Sequence, residues 1–188
     1  ITSMFDRVFL LPTLGSVSVS LYSVASFFGK SVSLLSTPMG TLVLSYLSTG
    51  RIRMTMKRAV GINLAILLLC MIVMLISAVF GQFITGLFYP TLIDEARQYI
   101  LLGNVAAIVG IAASLNGRIV LACVPAYWQS VLSISRLALY CVLGLALASY
   151  AGLQGYCVAI LVCNIVYFAA NTTLCLYYVR KETERIRA

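Results

Sequence analysis

Three basic side chains lie inside apolar stretches of this sequence, and they are the residues best suited to chemistry. Lys30 falls near the middle of the stretch from Ser20 to Ser48, where an ionised group costs at least about 2.5 to 3.5 kcal/mol in a membrane. It shares a helical stripe with Tyr22, Ser26, Gly29, Ser33, Thr37 and Gly40, whereas Val24, Phe28, Val32, Leu35 and Met39 populate other faces. One side of this helix is therefore expected to meet water or protein, with Lys30, Ser26 and Ser33 on a cavity wall. The competing structural reading has Lys30 reaching an interface along its aliphatic stem, or pairing with Asp6.

Arg136 repeats the pattern, with Gln129, Ser133 and Tyr140 on its stripe. Cavity lining and a structural role are balanced readings there. Arg7 follows Asp6 directly, so on a helix the two point about 100° apart and cannot pair face to face. Arg118, near a helix end, reads as an interfacial anchor. Cys157, Asn164, Asn171 and Tyr178, seven apart, form a polar seam that interhelical hydrogen bonding or substrate contact would both explain.

What is missing limits the chemistry as much as what is present. The chain has no histidine, and Asp6 is the one acidic residue within an expected span, so neither a catalytic triad nor an intramembrane acid/base pair can be assembled. No enzyme activity is expected. The six cysteines include no CxxC pair, which leaves no metal or redox motif and no expected cofactor. They read as small buried hydrophobes.

The elements that must position these residues are membrane helices. Of 188 residues 62% are hydrophobic and 10% charged, where a soluble domain has roughly a quarter charged. Uncharged runs longer than about 18 residues recur, each able to cross a core roughly 30 Å thick. Runs such as AVGINLAILLLCMIVMLISAVF do not alternate, which excludes a strand barrel. The expected fold is all-α, a polytopic transmembrane bundle of about six helices forming a single domain over residues 1–188.

The first helix, Ile1 to about Leu14, is short and carries no basic leader; together with the missing initiator Met this suggests a fragment cut within a helix. A loop at Gly15, Ser16 and Ser18 leads to the second, about Ser20 to Ser48, with a kink expected at Pro38. The third spans about Ala59 to Phe80, with Asn63 and Ser77 its polar interruptions, and Gly81 to Arg97 forms a mixed connection. The fourth covers about Gln98 to Val120, where Gly103, Gly110 and Gly117 leave one face open to close approach. The fifth and sixth, about Tyr127 to Ser149 and Tyr156 to Val179, flank the turn YAGLQG.

The net charge of +8 clusters at the ends of apolar spans, which argues for membrane orientation and against nucleic acid. Four basic residues, Arg51, Arg53, Lys57 and Arg58, follow the second helix, and Arg180, Lys181, Arg185 and Arg187 lie in the tail. Both segments are expected on the cytoplasmic side, placing the carboxy terminus there.

The stretch FDRVFLLPTLGSVSVSLYSVASFFGKSVSLLSTPMGTLVLSYLS resembles the seventh and eighth helices of polysaccharide flippases in the multidrug/oligosaccharidyl-lipid/polysaccharide exporter superfamily. The basic loop, the connection GLFYPTLIDEARQY and the turn YAGLQGY follow in the same order. The resemblance implies the carboxy-terminal lobe of a two-lobe transporter about twice as long, with a central cationic cavity. It implies movement of a lipid-diphosphate-linked glycan across the bacterial inner membrane by alternating access. Asp6, Arg7 and Lys30 would line the cavity, Arg7 and Lys30 facing the diphosphate. The sequence departs from the family in lacking a first lobe, so a missing lobe or self-association is the implied partner, alongside membrane lipid and the anionic glycan. Two other readings are a cation exporter of the same superfamily, which wants buried carboxylates, and a membrane assembly subunit without transport.

Overall fold

The computed structural model describes residues 2–48, 55–90 and 92–187, and every regular element among them is helical. In chain order these are α1 (Thr2–Ala25), α2 (Phe27–Ser48), α3 (Met56–Phe88), α4 (Ile93–Cys123) and α5 (Ala126–Arg187). Three stretches, Met56–Phe88, Ile93–Cys123 and Ala126–Lys181, are long and apolar enough to cross a membrane. Leu10–Ala25 and Phe27–Ser45, bent by 58°, make a fourth if counted as one span.

The distribution of polarity on α3 is the reverse of a helix in water. Its buried face carries Asn63, Cys70, Ser77 and Thr85, whereas Leu75, Val79, Phe83 and Leu87 are 65 to 73% exposed. In water that arrangement would forfeit about 1.5 to 3 kcal/mol for each large apolar side chain left outside. A hydrocarbon surround removes that penalty and makes the polar face the one to hide.

Helix α4 sits at the centre and contacts each of the other four. Its glycines allow this. Gly103 has the backbone carbonyl of Ala25 3.1 Å from where a Cβ would stand, and at Gly117 the Gln129 amide would lie 2.9 Å away. The small-residue face expected between Gly103 and Gly117 is thus where α1 and α5 come close.

At 62 residues α5 would be about 93 Å long if straight, three times the hydrocarbon thickness. It is broken at Ala151 and Gly152, where Gly152 takes a φ of 59°. The arms before and after fold back on each other: Tyr140 meets Tyr156 and Arg136 meets Asn164 across the break. Of the expected YAGLQG turn, only these two residues leave the helix.

Other boundaries differ from the sequence reading. The Gly15–Ser18 loop reduces to Gly15 itself, with φ 77°. Gly81 does not end α3, which continues to Phe88 and stops before Tyr89 and Pro90, the residue preceding a proline being disfavoured in a helix. Asp94 and Glu95 belong to the first turn of α4, where their charge complements the helix dipole. Through Pro38 helix α2 has no non-helical residue, and the bend falls at Ser26 instead.

That bend is held by side chains. Ser26 is fully buried, and its hydroxyl donates to the Tyr22 carbonyl at 2.7 Å. The Gly29 N–H, near the start of α2, donates to Asn104 Oδ1 of α4 at 2.9 Å. Replacing Asn104 by leucine would leave this N–H buried without an acceptor, at a cost of about 1 to 3 kcal/mol. A lowered melting midpoint of the solubilised protein is the expected outcome; an unchanged midpoint would mean that the bend does not depend on Asn104.

Candidate functional site

The bend turns α2 so that Lys30 faces α4 and α5 across a cleft of about 310 Å³. The α2 wall brings Gly29, Lys30, Ser33, Ser36 and Thr37, and α4 brings Ala106, Ala107, Gly110 and Ser114. Small residues on α4 keep the cleft open. From α5 come Arg136 and Tyr140 on one arm and Ile160 and Asn164 on the other, while Tyr22 closes the α1 side. Two cations therefore share one hollow, and no acidic residue among the described residues lines it.

The two cations are held differently. Lys30 Nζ lies 4.5 Å from the Tyr22 ring centroid, a cation–π contact. Tyr22 is in turn 96% buried and stands edge-on to Tyr156, whose hydroxyl lies 3.2 Å from that of Tyr140. The Arg136 guanidinium stacks at 4.6 Å on the Tyr167 ring and donates from Nη2 to Asn164 Oδ1 at 2.6 Å. Asn164 is itself fixed, its amide donating to the Ala106 carbonyl at 3.0 Å. The Tyr167 hydroxyl accepts from Gln129 at 2.7 Å. Arg136 is thus pinned in plane and direction, and its buried Nε has no hydrogen-bond partner among the described residues.

The hydroxyls on the α2 wall point their protons at their own helix. Ser33 donates to the Lys30 carbonyl at 2.6 Å and Ser36 to the Ser33 carbonyl at 2.8 Å. Their oxygens remain able to accept. A guest with negative charge beside hydrogen-bond donors matches this combination of fixed cations and accepting hydroxyls.

The sequence-derived site is reached in part. Lys30, Ser33 and Arg136 are brought together around one cleft. Ser26 shares the periodicity of Lys30 but lies fully buried at the bend, its hydroxyl on the Tyr22 carbonyl, and is not among the residues around the cleft. The side chains of Asp6 and Arg7 lie outside the described residues, and their backbone is part of α1. Asn164 and Tyr22 enter as site residues that sequence reasoning assigned only to a seam and a stripe. Asn104 was invisible, because its partner, the Gly29 N–H beside the bend, is 75 residues away in the chain.

Fold and site together define an all-helical protein with apolar spans compatible with a multi-pass membrane protein, built around a cationic cleft. Comparisons with protein-family models, with curated proteins and with solved structures find no match for this chain.

Proposed function

We propose that the chain is one lobe of a transporter that carries a lipid-diphosphate-linked glycan across the bacterial inner membrane by alternating access. In this reading the helical segments form a bundle of about six spans with the carboxy terminus cytoplasmic, and the cleft receives the anionic head while the acyl chain stays in lipid. The observation that carries it is the meeting of Lys30 and Arg136 in one hollow that no carboxylate among the described residues lines. An anion entering there gains charge-assisted hydrogen bonds in a medium of low dielectric, where they are strongest. The accepting hydroxyls of Ser33 and Ser36 suit the donors of a sugar. A lobe of this kind needs a second lobe, or a second copy, to rock against.

A cation exporter is the poorer reading, since two fixed positive charges oppose entry of a cation. The discriminating experiment is equilibrium binding to the full chain in lipid nanodiscs, with a fluorescent short-chain polyprenyl diphosphate as probe. Saturable binding, displaced by pyrophosphate and not by tetraethylammonium, is expected. Saturable uptake of an organic cation, with no binding of the diphosphate, would transfer the protein to the exporter class.

A further inference from the structure

Beyond the cleft, one helical turn further along α2 and α4, a third cation crosses between the two helices. Ser114 and Thr37 line the cleft, and one turn further along their helices stand Arg118 and Thr41. The Arg118 guanidinium crosses from α4 to α2, donating through Nη1 to the Thr37 carbonyl at 3.0 Å and to Thr41 Oγ1 at 2.9 Å. Gly40 makes room for it. A Cβ there would stand 2.5 Å from Arg118 Cδ and 2.8 Å from Nε, so the absent side chain is what lets the arginine lie flat on α2.

Neither hydrogen-bond partner of Arg118 among the described residues carries charge. The acidic pair nearest in sequence, Asp94 and Glu95, begins the same helix about 35 Å away along its axis, and Glu184 is paired with Arg180. Arg118 is also partly exposed, and its two partners Thr37 and Thr41 are exposed as well. An interfacial anchor would extend its charge away from the bundle toward headgroups; this one is folded back onto α2. Along α2, Lys30 and Thr41 are about 16 Å apart, farther than one diphosphate spans. Arg118 therefore cannot share a single headgroup with Lys30 and must act at a different moment or on a different group.

We propose that Arg118 is the entry station of the cleft, a second anion-binding site that captures the phosphate of an arriving lipid headgroup before it passes to Lys30 and Arg136. The two hydrogen bonds to α2 hold the guanidinium in place when the site is empty and are exchanged for phosphate oxygens on arrival. An arginine suits this task because its planar fork can grip two phosphate oxygens while still lying along a helix. The inference rests on the anionic-lipid reading of the cleft and adds to it a residue and an order of events.

An entry station governs the rate of arrival, whereas the deep cations govern the lifetime of the complex. Charges at a rim change association and its salt dependence, and buried hydrogen-bonded charges change dissociation. The test is stopped-flow binding of a fluorescent short-chain polyprenyl diphosphate to the full chain in nanodiscs, at two salt concentrations, with inorganic pyrophosphate as a second, lipid-free probe. Arg118→Gln is expected to slow association of the lipid probe about 10-fold at low salt, to flatten its salt dependence, and to leave dissociation unchanged. Gly40→Ala, which displaces the guanidinium without removing its charge, should lie between the two, and Arg118→Lys should recover most of the rate. An equal slowing for free pyrophosphate would place the source of the anion in solution and not in the lipid, overturning the headgroup part of the proposal. Unchanged association in Arg118→Gln, or a faster dissociation alone, would overturn the station outright while leaving the cleft's affinity for diphosphate intact. Failure of the wild-type chain to bind either probe would instead remove the reading on which it rests.

Discussion

Removing both charges from the cleft, as Lys30→Gln with Arg136→Gln, should abolish measurable binding of a polyprenyl diphosphate, and the two single variants should not be equivalent. Each hydrogen bond from a charged group contributes about 1.5 to 3 kcal/mol, so each loss weakens binding by about 10- to 100-fold. Lys30 rests on the Tyr22 ring through a flexible stem, and a second flexible cation at that point can reach the same anion. Lys30→Arg should therefore retain most of the affinity. Arg136 is different, since its position depends on stacking against Tyr167 and on one N–H given to Asn164. Lysine can supply the charge but not the plane, and it leaves Asn164 Oδ1 to find another donor. Arg136→Lys is thus expected to bind about as poorly as Arg136→Gln and to melt lower. Titration of each variant with the probe decides this. Binding by Arg136→Lys at wild-type affinity would mean that the cleft needs a point charge only, and that the pinning by Asn164 and Tyr167 has no bearing on recognition.

How far this site was legible in the sequence depends on how far each residue's role was local. Lys30 was legible because a charge inside an apolar run has few tolerable places to go, and its stripe of small and hydroxyl side chains said which way it points. Arg136 was legible for the same reason. Ser26 shares that periodicity, but a bend interrupts the stripe there, and nothing in Ser-Phe-Phe-Gly announces a bend as clearly as Pro38 does further along. Proline proved the weaker signal, since its neighbours on α2 absorb the missing hydrogen bond without leaving helical geometry. Gly81 was read as the start of a connection, yet inside α3, two turns before its end, it is a gap in a packing face, with the Asn104 amide 3.3 Å from where its Cβ would stand. Arg118 was read by its depth alone. Its actual direction is set by Gly40 on another helix, a pairing that no local pattern contains.

The second large effect is expected far from any charge, at Gly155, and it follows from the way α5 turns back on itself. The turn residues Ala151 and Gly152 bring the two arms so close that a Cβ on Gly155 would overlap the carbonyl oxygen of Leu147, with the carbonyl carbon 2.8 Å away and Ala151 Cβ at 3.0 Å. A flexible side chain could swing aside, but a backbone carbonyl within a helix cannot. Gly155→Ala must force the arms apart, at a cost of about 3 kcal/mol, which for a chain of this size lowers the melting midpoint by roughly 6 to 12 °C. Gly152→Ala makes an informative contrast. Nothing lies within 4 Å of its Cβ position, so only its backbone, at φ 59° and ψ −140°, opposes a side chain, at a cost of about 1 to 3 kcal/mol. The separation of the arms would also reach the cleft, because Tyr140 meets Tyr156 and Arg136 meets Asn164 across the same hairpin. Gly155→Ala should therefore lose diphosphate binding together with stability, whereas Gly152→Ala should keep its affinity once folded. Scanning fluorimetry of the solubilised variants, checked for a single species by size exclusion, measures the first effect, and the nanodisc titration measures the second. If Gly155→Ala melted with the wild-type chain, the two arms of α5 would not be packed as tightly as this hairpin requires, and the placement of Arg136 against Asn164 would lose its support.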